Sequence, residues 1–373
     1  MTLYDSNQVR LTQHVLIYLT FILTTFGIFG NILVIIIFYS PKFHKQSTHL
    51  YLSTLALSDV CFLIINLFED TFRNLDTLYN SHLGFLDRST QFICIAAQYI
   101  RNSTRLSSSW IIVSFTIERL IAVYYPLKRK IICRRKEARY LLFGIFVMTL
   151  CFNINVPFHY GLIHTDNNST SSPTVCDVLQ KYRPIYMRFA IATMISVYLI
   201  PFLIIGFGNM LIIIRLSRSK QLLNNTDKNP EPNGLESVGG TSLRYNDSIL
   251  SGSNNYEHSA LLNKSHLTLE ESVPPHNQVL SNKHQTFQTH LKGGTQRKIT
   301  LTLLLVSWSF LLLNTPYCIL WLLNYIHKFE NENLKTLKEL TELLMLTNFC
   351  INFILYCLSG KLFRAHLKYL FRC

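Results

Sequence analysis

Charge is what the sequence has least of. Asp, Glu, Lys and Arg make up 15% of its 373 residues, against about 25% in an ordinary soluble domain. Cysteine is also too sparse, at 9 residues, for a disulfide-rich secreted scaffold. No phosphate-cradling Gly-rich loop, no HExxH helix and no nucleophile beside a base occurs, which argues against an enzyme. Acidic residues are short in supply: 35 Lys and Arg face 21 Asp and Glu, a formal net charge of +14. The basic residues stand between long apolar runs rather than on a polar background, which argues against a nucleic-acid binder. Hydrophobic residues reach 49%, which excludes disorder for most of the chain.

Those runs are long. A helix needs about 20 mostly apolar residues to cross a hydrocarbon core about 30 Å thick. Seven stretches qualify: His14–Tyr39, Leu50–Phe68, Phe92–Tyr125, Ala138–Leu162, Tyr186–Leu216, Ile299–Tyr325 and Leu337–Leu358. Barrel strands would be about 10 residues with alternating polarity, so the fold class predicted is an all-α membrane protein, a seven-transmembrane helix bundle. The first run is too long for a cleaved leader and has no basic flank before it, which predicts a retained first span. Lys128, Arg129, Lys130, Arg134, Arg135, Lys136, Arg215, Arg218, Arg297, Lys298, Lys361 and Arg364 gather on one side of the spans, which predicts that side to be cytoplasmic. Residues 1–13 are then extracellular, 14–218 carry spans one to five, and 297–358 carry spans six and seven. Between them, residues 219–296 hold 19 hydrophobic residues in 78 and near-equal opposite charge, and are predicted to be a disordered cytoplasmic loop. Residues 359–373 place Leu362, Phe363, Leu367 and Leu370 on one face with basic flanks, predicting a short amphipathic surface helix against membrane lipid. Its final Cys373 is a candidate palmitoylation site.

Ionisable residues inside spans are costly and tend to be functional. Asp59 lies mid-way along span two, Glu118-Arg119 at the inner end of span three, and Pro201 and Pro316 interrupt spans five and six. These residues join Gly30-Asn31, Leu55-Ala56-x-x-Asp59, Cys94 with Arg119 25 residues on, Phe310 through Pro316, and Asn352-x-x-x-Tyr356. In that order, one set per span except the fourth, the chain resembles the rhodopsin-like (class A) G-protein-coupled receptors. The run Asn352-Phe353-Ile354-Leu355-Tyr356-Cys357 resembles invertebrate FMRFamide-type neuropeptide receptors, as do Phe152 through Phe158 and Leu313-Asn314-Thr315-Pro316. Departures from the family are Leu120 for Tyr, Asn314 for Trp, Phe353 for Pro and Asn209 for Tyr, and span four lacks its Trp. Leu340 to Leu358 of span seven contains no Lys to carry retinal, and Arg101 stands where amine receptors have Asp. No related halves suggest a transporter.

The resemblance implies a plasma-membrane receptor with its N-terminus outside, activated by a short amidated neuropeptide and coupled to a heterotrimeric G protein. Other readings are a receptor for a small anionic ligand and, further off, a non-receptor membrane protein such as a transporter. It also implies a Cys94–Cys176 disulfide and an activation switch of Glu118, Arg119, Pro201, Phe310, Asn314, Pro316, Asn352 and Tyr356. Asp59, Ser108 and Asn348, with Asn31 and Asn352 nearby, would form a sodium site, although Phe349 displaces a small polar residue there. The outer-loop sequons at Asn167 and Asn168 are candidate glycosylation sites. Arg101, Arg105 and Ser108 share one face of span three at i, i+4, i+7. With Gln98, Glu69, Asp70 and Glu342, the two arginines are the expected ligand-binding residues, with an Arg101–Glu342 pair in the empty cavity. The Ser/Thr-rich loop 219–296 would bear phosphates read by an arrestin-like partner.

Overall fold

The computed structural model describes residues 3–41, 47–79, 84–164, 174–228, 304–325 and 332–371. The candidate sites Asn167, Asn168 and Cys373 lie outside these residues, as does most of the loop 219–296. Residues 220–293 form a unit separate from the helical one.

Helix α1 runs Leu3–Tyr39, longer than the apolar stretch from His14, because nothing in its polar first turns breaks a helix. Helix α2, Ser47–Asn66, passes through a π turn at Leu67–Thr71 into α3, Phe72–Tyr79. Helix α4, Gln91–Tyr124, begins at Thr90, whose hydroxyl accepts from the Ile93 N–H. The short α5, Pro126–Ile132, starts on Pro126, whose missing N–H costs nothing at a first helical position.

Span four differs from its predicted bounds. Helix α6 is Arg135–Phe152, and a turn over Asn153–Asn155 leads into α7, Val156–His159. Residues Tyr160–His164, the first three of which were expected to be membrane helix, form strand β1. It pairs antiparallel with β2, Thr174–Val178, with Leu162 opposite Cys176. Pro157 cannot donate to the Asn153 carbonyl four residues before it, and the helix breaks over Asn153–Asn155; the proline then stands in the first turn of α7.

Helix α8, Arg183–Met194, is joined to α9, Ile200–Lys228, by a second π turn at Ile195–Leu199. Pro201 withdraws the donor for the carbonyl four residues before it, and the wide turn lies at that place. Helix α9 reaches Lys228, so the segment 219–296, predicted as disordered throughout, opens as helix. Helix α10 spans Leu304–Tyr325. Span seven is two helices, α11, Glu332–Cys350, and α12, Asn352–Ser359, bent by 51°. Among the described residues six helices are long and apolar enough to cross a membrane, or seven with that bent pair. Their outward residues are apolar: Phe143, Leu203 and Leu312 are each about two-thirds exposed, as suits a lipid-facing surface.

The bend lies just before Phe353, where related receptors place Pro. Asn31 stabilises it without one, donating its amide to the Phe349 carbonyl at 2.8 Å and to Gly27 at 2.9 Å. Close approach of α1 makes that possible. A Cβ on Gly27 would lie 2.4 Å from Cys350 Sγ and 2.9 Å from its Cβ, and one on Gly30 would lie 2.9 Å from Phe353 Cβ. The amphipathic helix α13, Lys361–Leu370, follows a break at Gly360. Its Phe363 is buried against Phe38 and Tyr356, and Arg364 donates to the Cys357 and Leu358 carbonyls at 2.7 and 2.8 Å.

Gly27→Val should overpack the α1–α11 contact, at about 1–3 kcal/mol. The expected outcome is reduced surface expression and a lower melting temperature of the solubilised protein, whereas Gly144→Ala, which has nothing within 4 Å of its added Cβ, leaves both unchanged.

Candidate functional site

Cys94 and Cys176 are bonded, with their Cα atoms 5.7 Å apart, so the hairpin β1–β2 is tied to the outer end of α4. A second tie was invisible in the sequence. Arg73 and Asp87 form a two-pronged pair, each contact 2.8 Å. Asp87 also accepts from the Cys176 N–H at 2.9 Å and its carbonyl from Thr174, while Arg73 donates to the Cys176 carbonyl at 3.2 Å. Nothing in the spacing of Arg73 and Asp87 marks them, because the hairpin that unites them is itself not visible in the pattern.

Beneath the hairpin lies a cavity of about 530 Å³. Its wall includes Asp70, Gln98, Arg101, Arg105 and Glu342 from the predicted set, and Tyr160, Tyr186 and Tyr317, which the sequence reading missed. Glu69 stands behind the wall. It is buried, accepting from Gln98 Nε2 at 2.6 Å and pairing with Arg101 at 2.7 Å. Arg101 also binds Asp70 at 2.7 Å and Asn66 Oδ1 at 3.3 Å, with its guanidinium 6.0 Å from the Phe62 ring centre.

The expected Arg101–Glu342 pair is therefore not formed. Glu69 and Asp70, both within the π turn at Leu67–Thr71, occupy the Arg101 guanidinium. Glu342 faces Lys338 at 3.7 Å instead, one helical turn away. Arg105 donates to Asn102 Oδ1 at 3.1 Å, and no carboxylate lies within 4 Å of it among the described residues. Tyr160 shares a 2.9 Å hydrogen bond with Tyr186; burial and then that neighbour raise its phenol well above its ordinary value.

Deeper in the bundle Asp59 is buried. Ser108 donates to one carboxylate oxygen at 2.8 Å and Asn352 to the other at 2.7 Å. Asn348 is buried on the same span, but the nearest ring pair is apolar, with Phe62 and Phe349 stacked 4.2 Å apart. Asn31 is turned to backbone carbonyls and leaves its own oxygen without a partner. The carboxylate and its two donors are thus assembled as expected, while the remaining polar residues do not close around it.

Toward the inner end, Phe310 is buried edge-on to Phe202, one residue after Pro201, with centres 5.6 Å apart. Asn314, in place of the family's Trp, is buried and donates back to the Phe310 carbonyl at 2.7 Å, just upstream of Pro316 on an unbroken α10. Tyr356 is buried with its hydroxyl unpartnered. Arg119 pairs with Glu118 at 2.9 Å and donates to Thr48. Ser47 donates to the same Glu118 oxygen at 2.8 Å. The sequence lacks the acid that related receptors put at the start of span six, and two hydroxyls from α2 hold the Glu118-Arg119 pair. Cys133 lies nearby, its thiol pushed up by burial and then by Glu118.

The family described as "7 transmembrane receptor (rhodopsin family)" matches residues 30–356. Similar curated proteins include the FMRFamide peptide receptor frpr-18 of Caenorhabditis elegans, 27% identical over 53% of this chain and 46% of that protein. The neuromedin U receptor homolog nmur-2 of Caenorhabditis elegans is 32% identical over 36% of this chain and 31% of its own length. The thyrotropin-releasing hormone receptor of Ovis aries is 26% identical over 64% and 59% respectively. The matched stretches thus span between 31% and 59% of these relatives.

Breaking the Arg101 cluster should destabilise the bundle. Glu69 is 7% exposed and Asp70 39%, so Arg101→Gln should cost about 3 kcal/mol, the low end for a broken buried pair. Thermal unfolding in detergent should show the loss, and adding Glu69→Gln to Arg101→Gln should restore part of it. A double variant no more stable than Arg101→Gln would place the cause elsewhere.

Proposed function

The chain belongs to the rhodopsin family of seven-transmembrane receptors, and on that premise we propose that it is a plasma-membrane receptor for a short amidated peptide, coupled to a heterotrimeric G protein. The observation that carries this reading is the cavity under the disulfide-tied hairpin. It is roomy, at about 530 Å³, and its wall carries both signs of charge and several phenols, which suits a peptide end better than a small amine. Relatives named for FMRFamide, neuromedin U and thyrotropin-releasing hormone support a peptide. The end bearing the hairpin is read as extracellular and the end bearing Arg119 as cytoplasmic, following the basic residues around α5, α6 and α13.

With Glu69 and Asp70 engaged by Arg101, Glu342, on the cavity wall and 3.7 Å from Lys338, is the acid we assign to a basic ligand group. Arg119 is proposed to leave Glu118 and Thr48 when the cytoplasmic side opens to the G protein. Asp59 with Ser108 and Asn352 is proposed to admit sodium. Phosphates on residues 219–296 would recruit an arrestin-like partner, α13 and a lipidated Cys373 would hold the membrane surface, and Asn167 or Asn168 would carry glycan. A second reading, a receptor for a small anionic ligand, is favoured by one observation: Arg105 faces the cavity without a carboxylate.

A peptide-library screen on cells expressing the chain, reading calcium and cyclic AMP, tests the central claim, and a response only to small organic anions would overturn it. For an Arg-containing agonist, Glu342→Gln should lower potency about fivefold, as a half-exposed pair predicts, and replacing the peptide's Arg with citrulline should remove the difference between receptor variants. Equal sensitivity to citrulline in both receptors would place the ligand's Arg elsewhere.

Arg119→Ala should keep wild-type agonist affinity and lose G-protein activation. Normal second-messenger output from that variant would count against the assigned switch.

A further inference from the structure

The two arginines of α4 differ in what surrounds them. Both line the same cavity, one turn and so about 6 Å apart along the helix. Arg101 is neutralised by Glu69 and Asp70 and donates to Asn66, although its Nε, like that of Arg105, has no partner. Arg105 makes one side-chain donation, to Asn102 Oδ1 at 3.1 Å; its Nε is enclosed and has no partner. Of the acids that line the wall, Asp70 is held by Arg101, and Glu339 and Glu342 stand with Lys338 on α11. Around Arg105 the charged neighbour is Arg101, a like charge, and the polar neighbours are the phenols Tyr186, Tyr198 and Tyr317. Tyr198 directs its own proton away, onto Met345 Sδ at 3.1 Å.

We propose that Arg105 forms a deep subsite for a carboxylate group of the ligand. This deepens the peptide-receptor reading and rests on it for the ligand's size, not for the subsite's chemistry. A guanidinium enclosed in low dielectric without an anion is costly, and its planar fork accepts a carboxylate by two parallel charge-assisted bonds that a carboxamide cannot match. The cavity therefore asks for an acid at depth and a base at the mouth, where Glu342 stands. The acid is either a chain-terminal carboxylate or an Asp or Glu side chain. In the second case the peptide's end remains free to be amidated.

The test uses the purified full-length chain and two pairs of isosteric fragments at about 10 mM, a concentration suited to millimolar binding. N-acetylphenylalanine against its amide probes a terminal carboxylate. N-acetylaspartic acid amide against N-acetylasparagine amide probes a side-chain carboxylate. The acid of at least one pair should raise the melting temperature by about 2 °C while its amide does not, and the responding pair identifies the source. Arg105→Gln should abolish that shift and Arg105→Lys should keep part of it. Equal shifts from acid and amide in both pairs, no shift from either acid, or an undiminished shift in Arg105→Gln would each overturn the proposal. The comparison within wild-type protein stands even where a variant fails to fold. A carboxylate-dependent shift without any peptide agonist would refute the peptide reading alone, and a peptide agonist without such a shift would refute the subsite alone.

Discussion

A charge carried into the hydrocarbon layer must find its opposite there, and much of the outer half of this bundle is arranged around one such obligation. Arg101 sits on α4 with Glu69 and Asp70 on the facing turn of α2, all within 2.7 Å contacts. The two adjacent acids of the triad lie within the π turn at Leu67–Thr71. With two acids consumed by one arginine, the other arginine and the acids of α11 are left to line the open space. The chemistry offered to a ligand is thus a remainder, fixed by which charges neutralise one another within the protein.

Below the cavity the same rule operates with neutral partners. Asp59 accepts from Ser108 on α4 and Asn352 on α12, so one carboxylate joins three helices at the level where span seven bends. Asn31 supplies the backbone bonds at that bend. At the end away from the hairpin Glu118 and Arg119 satisfy each other with Ser47 and Thr48. Each level of the bundle therefore contains a polar contact between α4 and α2, and a movement of α4 along its axis strains all of them together.

The spans were legible in the sequence because each depends on one local property, an apolar run, and the disulfide because of the family resemblance. Of the cavity wall the charged residues were legible in part, since charges within apolar runs have few places to point, while the phenols that complete it were not. The pairing was not. Whether Arg101 meets Glu342 or Glu69 depends on helix rotation, and the π turn that sets it has neither Pro nor Gly to announce it in Leu67–Thr71. The hairpin was hidden because its strands are short and β1 continues the apolar run of span four. Thr48 and Ser47 escaped notice because hydroxyls at a helix start read as caps, and only the tertiary approach of α2 to α4 makes them partners of Arg119 and Glu118.

The two wide turns carry a consequence for how such a protein can vary over generations. Both lie toward the hairpin end, at Leu67–Thr71 and Ile195–Leu199, with Asp59 and Pro201 on the other side of them. Each holds one residue more per turn than the helix around it. Gain or loss of that residue would rotate the segment above by about 100° and leave the azimuth of the segment below unchanged. The half that carries the hairpin is thus mounted on a rotary joint, free to present a new set of side chains to the cavity while the half that carries Arg119 keeps its old alignment.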